Sequence, residues 1–453
     1  MYTQVGSIHG KLFQQKRNND QKRGLILTSP LGRRQHGTRG GAGKDRVSQD
    51  IQRRFYSLHS AVRQLAPVQN ASQNNLDRMT PPRPRILLCL EYATLNGGEH
   101  SLLAAVRQLT QSKLDFIAAA PSTGPLLEKL SELKIPTLPL NLRDQSGHKL
   151  SKEEINSYLI KLIEDVQPDL VHANSLAMGR LLGRIAGDVA APITTHIRDI
   201  IRLSDKAIED LNQLDRLIAV SGATAKYHQE RGLSAGKLTV LHNGVDSDWF
   251  QPRTPTYQLK KELGLGPEAF LIANIGQICL RKGQDVAAEA VCRLIDSYPE
   301  LHLAFVGERH SQKAESIAYE ENLREIFANA GREDHVHFLG YRSDIEFILN
   351  EVDLLLHTAH QEPLGRVLLE GAASECPIIA TTAGGTSEIL EHNLSGILLP
   401  PGDADLVEFA LRDLIPDAQR RQELGREARL RILQRFTVER STSGLLDIWK
   451  QLL

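Results

Sequence analysis

Glu362 and Glu370 stand eight residues apart in HQEPLGRVLLEGAA, with Gly365 between them. Carboxylates at that spacing can share out the hydroxyls of one ligand. If Gly365 opens a helix, Arg366 and Val367 fall on its first turn and Glu370 on its second, roughly 7.5 Å along the axis, while Glu362 stays in the loop before it. The free N–H groups and positive dipole end of such a helix suit a diphosphate. Glu370 then reaches hydroxyls farther along a nucleotide, and Glu362 those of a sugar on the other side. Without context, two glutamates around a helix start are more often a cap and a surface charge.

Other residues carry related chemistry. In IGQICLRKG, Lys282 before Gly283 has the long cationic side chain that suits neutralising phosphate, although by position alone a solvated surface lysine is the more frequent case. Gly97 and Gly98 precede the helical stretch SLLAAVRQL and allow the backbone to approach a phosphate with no Cβ in the way, although a strand-to-helix turn explains them almost as well. His172, at the end of DLVHAN, can position or polarise a hydroxyl, against the reading of a buried structural histidine. His196 and Arg198 in THIRDI end a neighbouring strand, with Asp199 a helix cap. Ser221 reads as a cap, Asn243-Gly244 as a turn, and Glu388 as a residue that simply sits on its helix after Gly384 and Gly385.

The elements that must position these residues follow from hydrophobic pattern. From Arg85 onward, short Val/Ile/Leu-rich runs alternate with amphipathic stretches, the signature of parallel α/β structure. The first series of strands is 85–90, 114–120, 135–140, 169–174, 192–197, 216–220 and 237–243. A second series is 270–276, 301–307, 336–340, 352–358, 376–382 and 396–400. A polar, Pro-containing linker is expected over 246–268, giving domains at 84–250 and 268–435, with a closing helix at 436–453. In such sheets ligands lie outside the carboxyl ends of the strands, where the residues named above fall.

The composition is that of a globular enzyme, with 41% hydrophobic and 24% charged residues, and a net charge of −1. That balance hides an asymmetry: residues 1–83 carry 15 Lys/Arg and 4 Asp/Glu, and the remainder is net −12. The opening segment has no core-forming pattern and is expected to be disordered. A basic arm, an organellar targeting segment and a start of translation upstream of the true one all account for it; Met79, just before the first strand, favours the last. Cys89, Cys279, Cys292 and Cys376 form no CxxC pair, and no DxD-like motif stands in a convincing loop, so neither a metal nor a disulfide framework is expected. No run is long enough to span a bilayer, and a reducing cytoplasm is the expected setting.

The stretch 360–390 closely resembles the E-x7-E segment of the retaining glycosyltransferases of family 4. The similarity extends to the glycines of TLNGGEH, to Lys282-Gly283, and to PDLVHANS, DRLIAVSGAT, VLHNGVD, VHFLGYRSDI and AGGTSEIL, in the family's order across 84–453. The resemblance implies the GT-B fold: two Rossmann-like domains facing across a cleft, with the acceptor in the first, the donor nucleotide mainly in the second, and the last helix crossing back. It implies transfer of a sugar from a nucleoside-diphosphate sugar to a hydroxyl with retention, in polysaccharide or glycolipid synthesis. Glu362, Lys282 and His172 would be catalytic; Gly97, Gly98, Gln277, Gly365, Arg366, Val367 and Glu370 would bind the donor; His196 and Arg198 would lie on the acceptor side. The nucleotide sugar is substrate, so no cofactor is implied, and nucleic acid is no partner. The acceptor can be a sugar, lipid or small molecule, with peripheral contact at the inner face of a membrane as one arrangement. Two departures stand out: Gln277 where the family usually has arginine, and Leu364 where phenylalanine is common. Competing readings are a GT-B sugar-nucleotide epimerase and a non-catalytic sugar-nucleotide-binding protein.

Overall fold

The computed structural model describes residues 83–110, 114–144 and 146–453. The expectations for residues 1–82 lie outside them. Every strand expected from the hydrophobic runs is present, each trimmed at one or both ends. The first series is β1 (Arg85–Cys89), β2 (Asp115–Ala120), β3 (Thr137–Pro139), β4 (Leu170–Ala173), β5 (Ile193–Ile197), β6 (Arg216–Ala219) and β7 (Leu238–Val240). The second is β8 (Phe270–Ile275), β9 (Leu301–Val306), β10 (Val336–Phe338), β11 (Leu354–His357), β12 (Ile378–Thr381) and β13 (Ile397–Leu399).

The strands form two sheets, ordered β3-β2-β1-β4-β5-β6-β7 and β10-β9-β8-β11-β12-β13, and every pairing is parallel. Parallel strands need crossover helices, and these bury both faces, which is why the strands read as continuous apolar runs. Core clusters accordingly occupy both faces of each sheet, with Leu87, Val171 and Leu217 on one side of the first and Ile86, Leu88 and Ile218 on the other.

The strand order reverses direction between β1 and β4 in the first sheet and between β8 and β11 in the second. Ligands of open α/β sheets bind at such switch points, at the carboxyl ends. The loops that leave these four strands carry Gly97-Gly98, Asn174, Lys282 and Glu362.

The stretch between β7 and β8 is not featureless. It contains the short helix Gln258–Glu262, entered through Tyr257 at φ +60°, and Leu259 there is fully buried. The last helix, Val438–Lys450, returns to the first domain. Its Trp449 is buried against Phe116, with ring centroids 6.2 Å apart, and the crossing is pinned by Val245 N–H donating to Phe436 O at 2.9 Å and Val438 N–H to Val245 O at 3.0 Å. The apolar stripe of that helix therefore belongs to the first domain's core.

Candidate active site

At the switch point of the second sheet, β8 runs into Gly276, which has φ +148°. A Cβ there would stand 3.4 Å from Lys282 Cε, so glycine lets the lysine stem lie back over the strand end. The 3-10 turn Leu280–Lys282 turns the side chain inward, and Nζ donates to Glu362 Oε2 at 2.6 Å. His357, the last residue of β11, places Nε2 3.1 Å from the same oxygen. Arg281 Nη1 donates to Gln361 O at 2.9 Å and lies 4.0 Å from Glu362. Burial pushes the Glu362 carboxyl up, but the Lys282 ammonium and the His357 hydrogen bond outweigh it and hold the group well below the usual carboxylate range. Burial and Lys282 lower the proton affinity of His357, with Glu362 opposing, so the ring is a neutral donor to an ionised carboxylate.

The Glu362 loop is fixed from behind. Gly384, at φ +56°, passes so close that a Cβ would stand 1.9 Å from Glu362 O, and Gly385 N–H donates to that oxygen at 3.0 Å. Gly365 caps the helix Arg366–Ala373 in a left-handed conformation, φ +104°. The N–H groups of Arg366 and Val367 begin that helix and have no intrahelical acceptor, while the Val367 side chain is buried in the core. Glu370 is 6% exposed, and Arg366 Nε donates to its Oε1 at 2.6 Å. Burial raises the Glu370 proton affinity, and Arg366 offsets this only in part, so the carboxyl stays above its ordinary value. Gln277 is exposed, and its carbonyl accepts from Gln284 Nε2 at 2.9 Å.

Facing this across the cleft, Gly97 and Gly98 open the helix Gly97–Leu109. A Cβ on Gly97 would lie 3.7 Å from Arg366 Cδ of the other domain, and one on Gly98 2.9 Å from Arg198 Cδ. Arg198 is bound by Asn174 O at 3.1 Å, Asn174 Oδ1 at 3.0 Å and Asn243 Oδ1 at 2.8 Å. Burial lowers its pKa to about 10, leaving it charged at neutral pH. Glu99 is buried beneath the turn, accepting from Asn96 N–H and Asn174 Nδ2, both at 3.1 Å. His196 and Arg198 line a small cavity with Ser101, His242 and Asn243.

His172 is fully buried behind that wall. Nδ1 meets Thr194 Oγ1 at 2.8 Å, Nε2 meets His196 Nδ1 at 3.0 Å, and the ring packs edge-on against Trp449. Burial, with Arg198 nearby, pushes its pKa down to about 3, and His196 is lowered well below its ordinary value for the same reasons. Both nitrogens of His172 are therefore engaged within the protein, and His196 is the ring of the pair that lines the cavity.

Glu362, Lys282, Glu370, Arg366 and the glycine pair are thus brought to one cleft, and His172 is set behind it. Several residues were not assigned to the site by sequence. His357 carries the same signal as His172, a histidine at the carboxyl end of a strand. Ser221 does cap its helix, with Thr224 N–H donating to Oγ at 3.0 Å, but its hydroxyl also donates to Pro363 O of the other domain. Glu388 reaches across as well, accepting from Gly222 and Ala223 N–H at 2.8 Å each.

Two parallel α/β domains, facing through their switch-point loops and joined by a returning C-terminal helix, define a GT-B protein. The profile of the family "Glycosyl transferases group 1" matches residues 257–431, and that of "Glycosyltransferase Family 4" matches 95–249. The two profiles, one on each domain, make the chain a glycosyltransferase of the GT-B type. It is 25% identical over 245 residues to the lipopolysaccharide core biosynthesis mannosyltransferase LpsB of Rhizobium meliloti, covering 54% of this chain and 67% of LpsB. It is 24% identical over 376 residues to the UDP-Gal:alpha-D-GlcNAc-diphosphoundecaprenol alpha-1,3-galactosyltransferase of Escherichia coli, covering 78% of this chain and 94% of that one. The crystal structure of Anabaena Alr3699/HepE in complex with UDP and glucose superposes with a TM-score of 0.70 at 23% identity, covering 81% of this chain and 99% of that chain, a likeness of fold. Across three of the curated relatives, the chain spans between 54% and 67% of their length. Among the described residues no helix is long and apolar enough to cross a membrane.

Proposed function

We propose that this protein transfers a glycosyl unit from a nucleoside-diphosphate sugar to an acceptor hydroxyl, with retention at the anomeric carbon, in polysaccharide or glycolipid synthesis. The observation that carries the reading is the buried Lys282–Glu362 pair, 2.6 Å apart where β8 and β11 end, opposite the Gly97-Gly98 turn. A buried carboxylate kept ionised by a lysine and a histidine suits sugar hydroxyls. A helix start with free N–H groups, beside a lysine, suits a leaving diphosphate. The similar Anabaena structure is a complex with UDP and glucose and the Escherichia coli relative is a UDP-Gal galactosyltransferase, which makes uridine nucleotides the first donors to try.

In the reaction, the bond between the anomeric carbon and the phosphate oxygen breaks as the acceptor oxygen bonds to the same face of that carbon. The acceptor's proton passes to the departing phosphate, so no protein nucleophile is required. Lys282 and the first N–H groups of the helix Arg366–Ala373 stabilise the charge on the diphosphate. Glu362 holds sugar hydroxyls and Glu370 the ribose. On the acceptor side His196 faces the cavity, and His172 orients it through the 3.0 Å contact. Purified protein incubated with UDP- and GDP-sugars, read by nucleotide release with and without saccharide or lipid acceptors, tests the proposal. Acceptor-dependent release supports it. Nucleotide-sugar binding with no release for any acceptor points to the non-catalytic reading, and interconversion of the donor sugar to the epimerase.

A further inference from the structure

Arg366 is placed differently from the other cations of the cleft. Lys282 is compensated by Glu362 at 2.6 Å. Arg281 donates to the backbone of Gln361. All three nitrogens of the Arg198 guanidinium are tied to Asn174 and Asn243. Gln277, beside Gly276 at the end of β8, brings no charge. A nucleoside-diphosphate sugar carries about two negative charges on its phosphates, and Lys282 is already balanced by a carboxylate. A second cation is therefore wanted in the gap between the Gly97-Gly98 turn and the helix Arg366–Ala373.

The Arg366 side chain lies in that gap. Its Cδ stands 3.7 Å from where a Cβ on Gly97 would be, and its influence reaches His100 on the helix opposite, whose pKa burial and then Arg366 push down to about 4. Among the described residues its one hydrogen-bond partner is Glu370, at 2.6 Å, and its side chain is 36% exposed against 8% for Glu370. The same glutamate is the one that the donor reading assigns to the ribose.

We infer that Arg366 is the second cation for the donor diphosphate, and that donor binding exchanges partners: Arg366 turns from Glu370 to the phosphates while Glu370 takes the ribose hydroxyls. The pair is then a pre-set form of the site, with Arg366 and Glu370 partnering each other until the nucleotide takes both. This inference rests on the nucleotide-sugar reading above, and it gives Arg366 a binding role separable from that of Glu370.

Uridine and UDP share base and ribose and differ in the diphosphate, so the pair separates the two roles. UDP is measured by calorimetry and the weaker uridine by ligand-observed NMR, on the whole protein and on Arg366→Gln, with GDP and guanosine as a parallel pair. The expected result is a ten- to hundred-fold loss of UDP affinity, on the order of one lost charge-assisted contact, with uridine affinity within about twofold of wild type. Equal losses for uridine and UDP would mean that Arg366 acts only by positioning Glu370, and no loss for either would remove it from the site; both overturn the inference and leave the donor reading standing. Wild-type protein that binds neither UDP nor GDP overturns the donor reading, and the inference with it. If Arg366→Gln does not fold, Arg366→Lys is read by the same ratio: it keeps the charge without the planar fork, so UDP affinity should fall several-fold with uridine unchanged.

Discussion

Glu388 and His242 meet across the domain boundary, with Nε2 of the histidine 2.7 Å from the glutamate Oε2. The same carboxylate accepts the Gly222 and Ala223 N–H groups at the start of the helix Gly222–Gln229, so one side chain of the second domain binds a helix start and a histidine of the first. Nearby, Ser221 and Thr224 both donate to Pro363 O. The loop that carries Glu362 is therefore latched to the first domain through Pro363.

That latch should make stability depend on pH in acid. Burial raises the Glu388 proton affinity, but His242 and the two N–H groups outweigh it, so the folded carboxyl lies below its ordinary value. A folded pKa below the unfolded one contributes stability that is complete above about pH 4.3 and is lost as pH falls through the folded value. Glu388→Gln should cost ~1–2 kcal/mol at pH 7, the lower part of the range for charged hydrogen bonds because the pair is partly open to solvent. The difference in melting temperature from wild type should shrink as pH falls below about 4. A difference that stays constant from pH 7 to pH 3 would show that the ionised carboxylate is not what matters.

The latch also marks where sequence stops being informative. The central strands were legible because they are buried on both faces, so their apolar runs carry the signal alone, while the edge strands β7 and β10 are only partly buried. The placement of Lys282 and Glu362 followed because both sit in loops at carboxyl ends. Ser221 and Glu388 looked like local helix features, and locally Ser221 is one. Their second partners, Pro363 for Ser221 and the Gly222 helix start for Glu388, lie 142 and 166 residues away and depend on how two domains meet, which no local pattern encodes. His172 shows the converse: a strand-end position allowed both a cleft and a core reading, and packing by Trp449, far along the chain, put it behind the wall. The helix Gln258–Glu262 was hidden in a stretch whose prolines and charges read as linker.

Gly97 and Gly98 should respond differently to alanine. A methyl on Gly98 would press on Arg198, which cannot easily move while held by Asn174 and Asn243. Gly98→Ala should therefore cost ~1–3 kcal/mol, the scale of overpacking in a fixed environment. Gly97→Ala makes an ordinary 3.7 Å contact with a movable side chain and should leave stability within ~0.5 kcal/mol of wild type, while weakening UDP by filling the space its phosphates approach. Thermal melts with UDP titrations check both, and equal destabilisation by the two variants would contradict the assignment of the close contact to Gly98.

Transfer should not require a divalent cation. Lys282, Arg281 and Arg366 border the site proposed for the diphosphate, and in the two DxD runs of the sequence, 246–248 and 403–405, Asp246 and Asp403 are engaged in capping a turn and a helix. Turnover with the preferred UDP-sugar should survive excess EDTA. Loss of turnover in chelator, restored by Mg²⁺ or Mn²⁺, would assign part of the charge on the leaving group to a metal.

Glu362 and Glu370 look alike in the motif but stand in different surroundings, and their glutamine variants should fail differently. Glu362 is ionised between Lys282 and His357, and its assigned ligand is the transferring sugar. Contacts that tighten as positive charge develops at the anomeric carbon act mainly on the transition state. Glu362→Gln should thus lower kcat more than UDP affinity; by removing the carboxylate that balances Lys282, it should leave free UDP bound as well as before or better. Glu370 pairs with Arg366 and is assigned to the ribose. Glu370→Gln should weaken uridine and UDP together, by the ~1.5–3 kcal/mol of charge-assisted hydrogen bonds, and should raise KM more than it lowers kcat. Calorimetry with UDP, NMR with uridine and steady-state kinetics on folded variants provide the comparison. Equal loss of UDP affinity in both would end the division of labour, and wild-type kinetics in both would take the two glutamates out of the site.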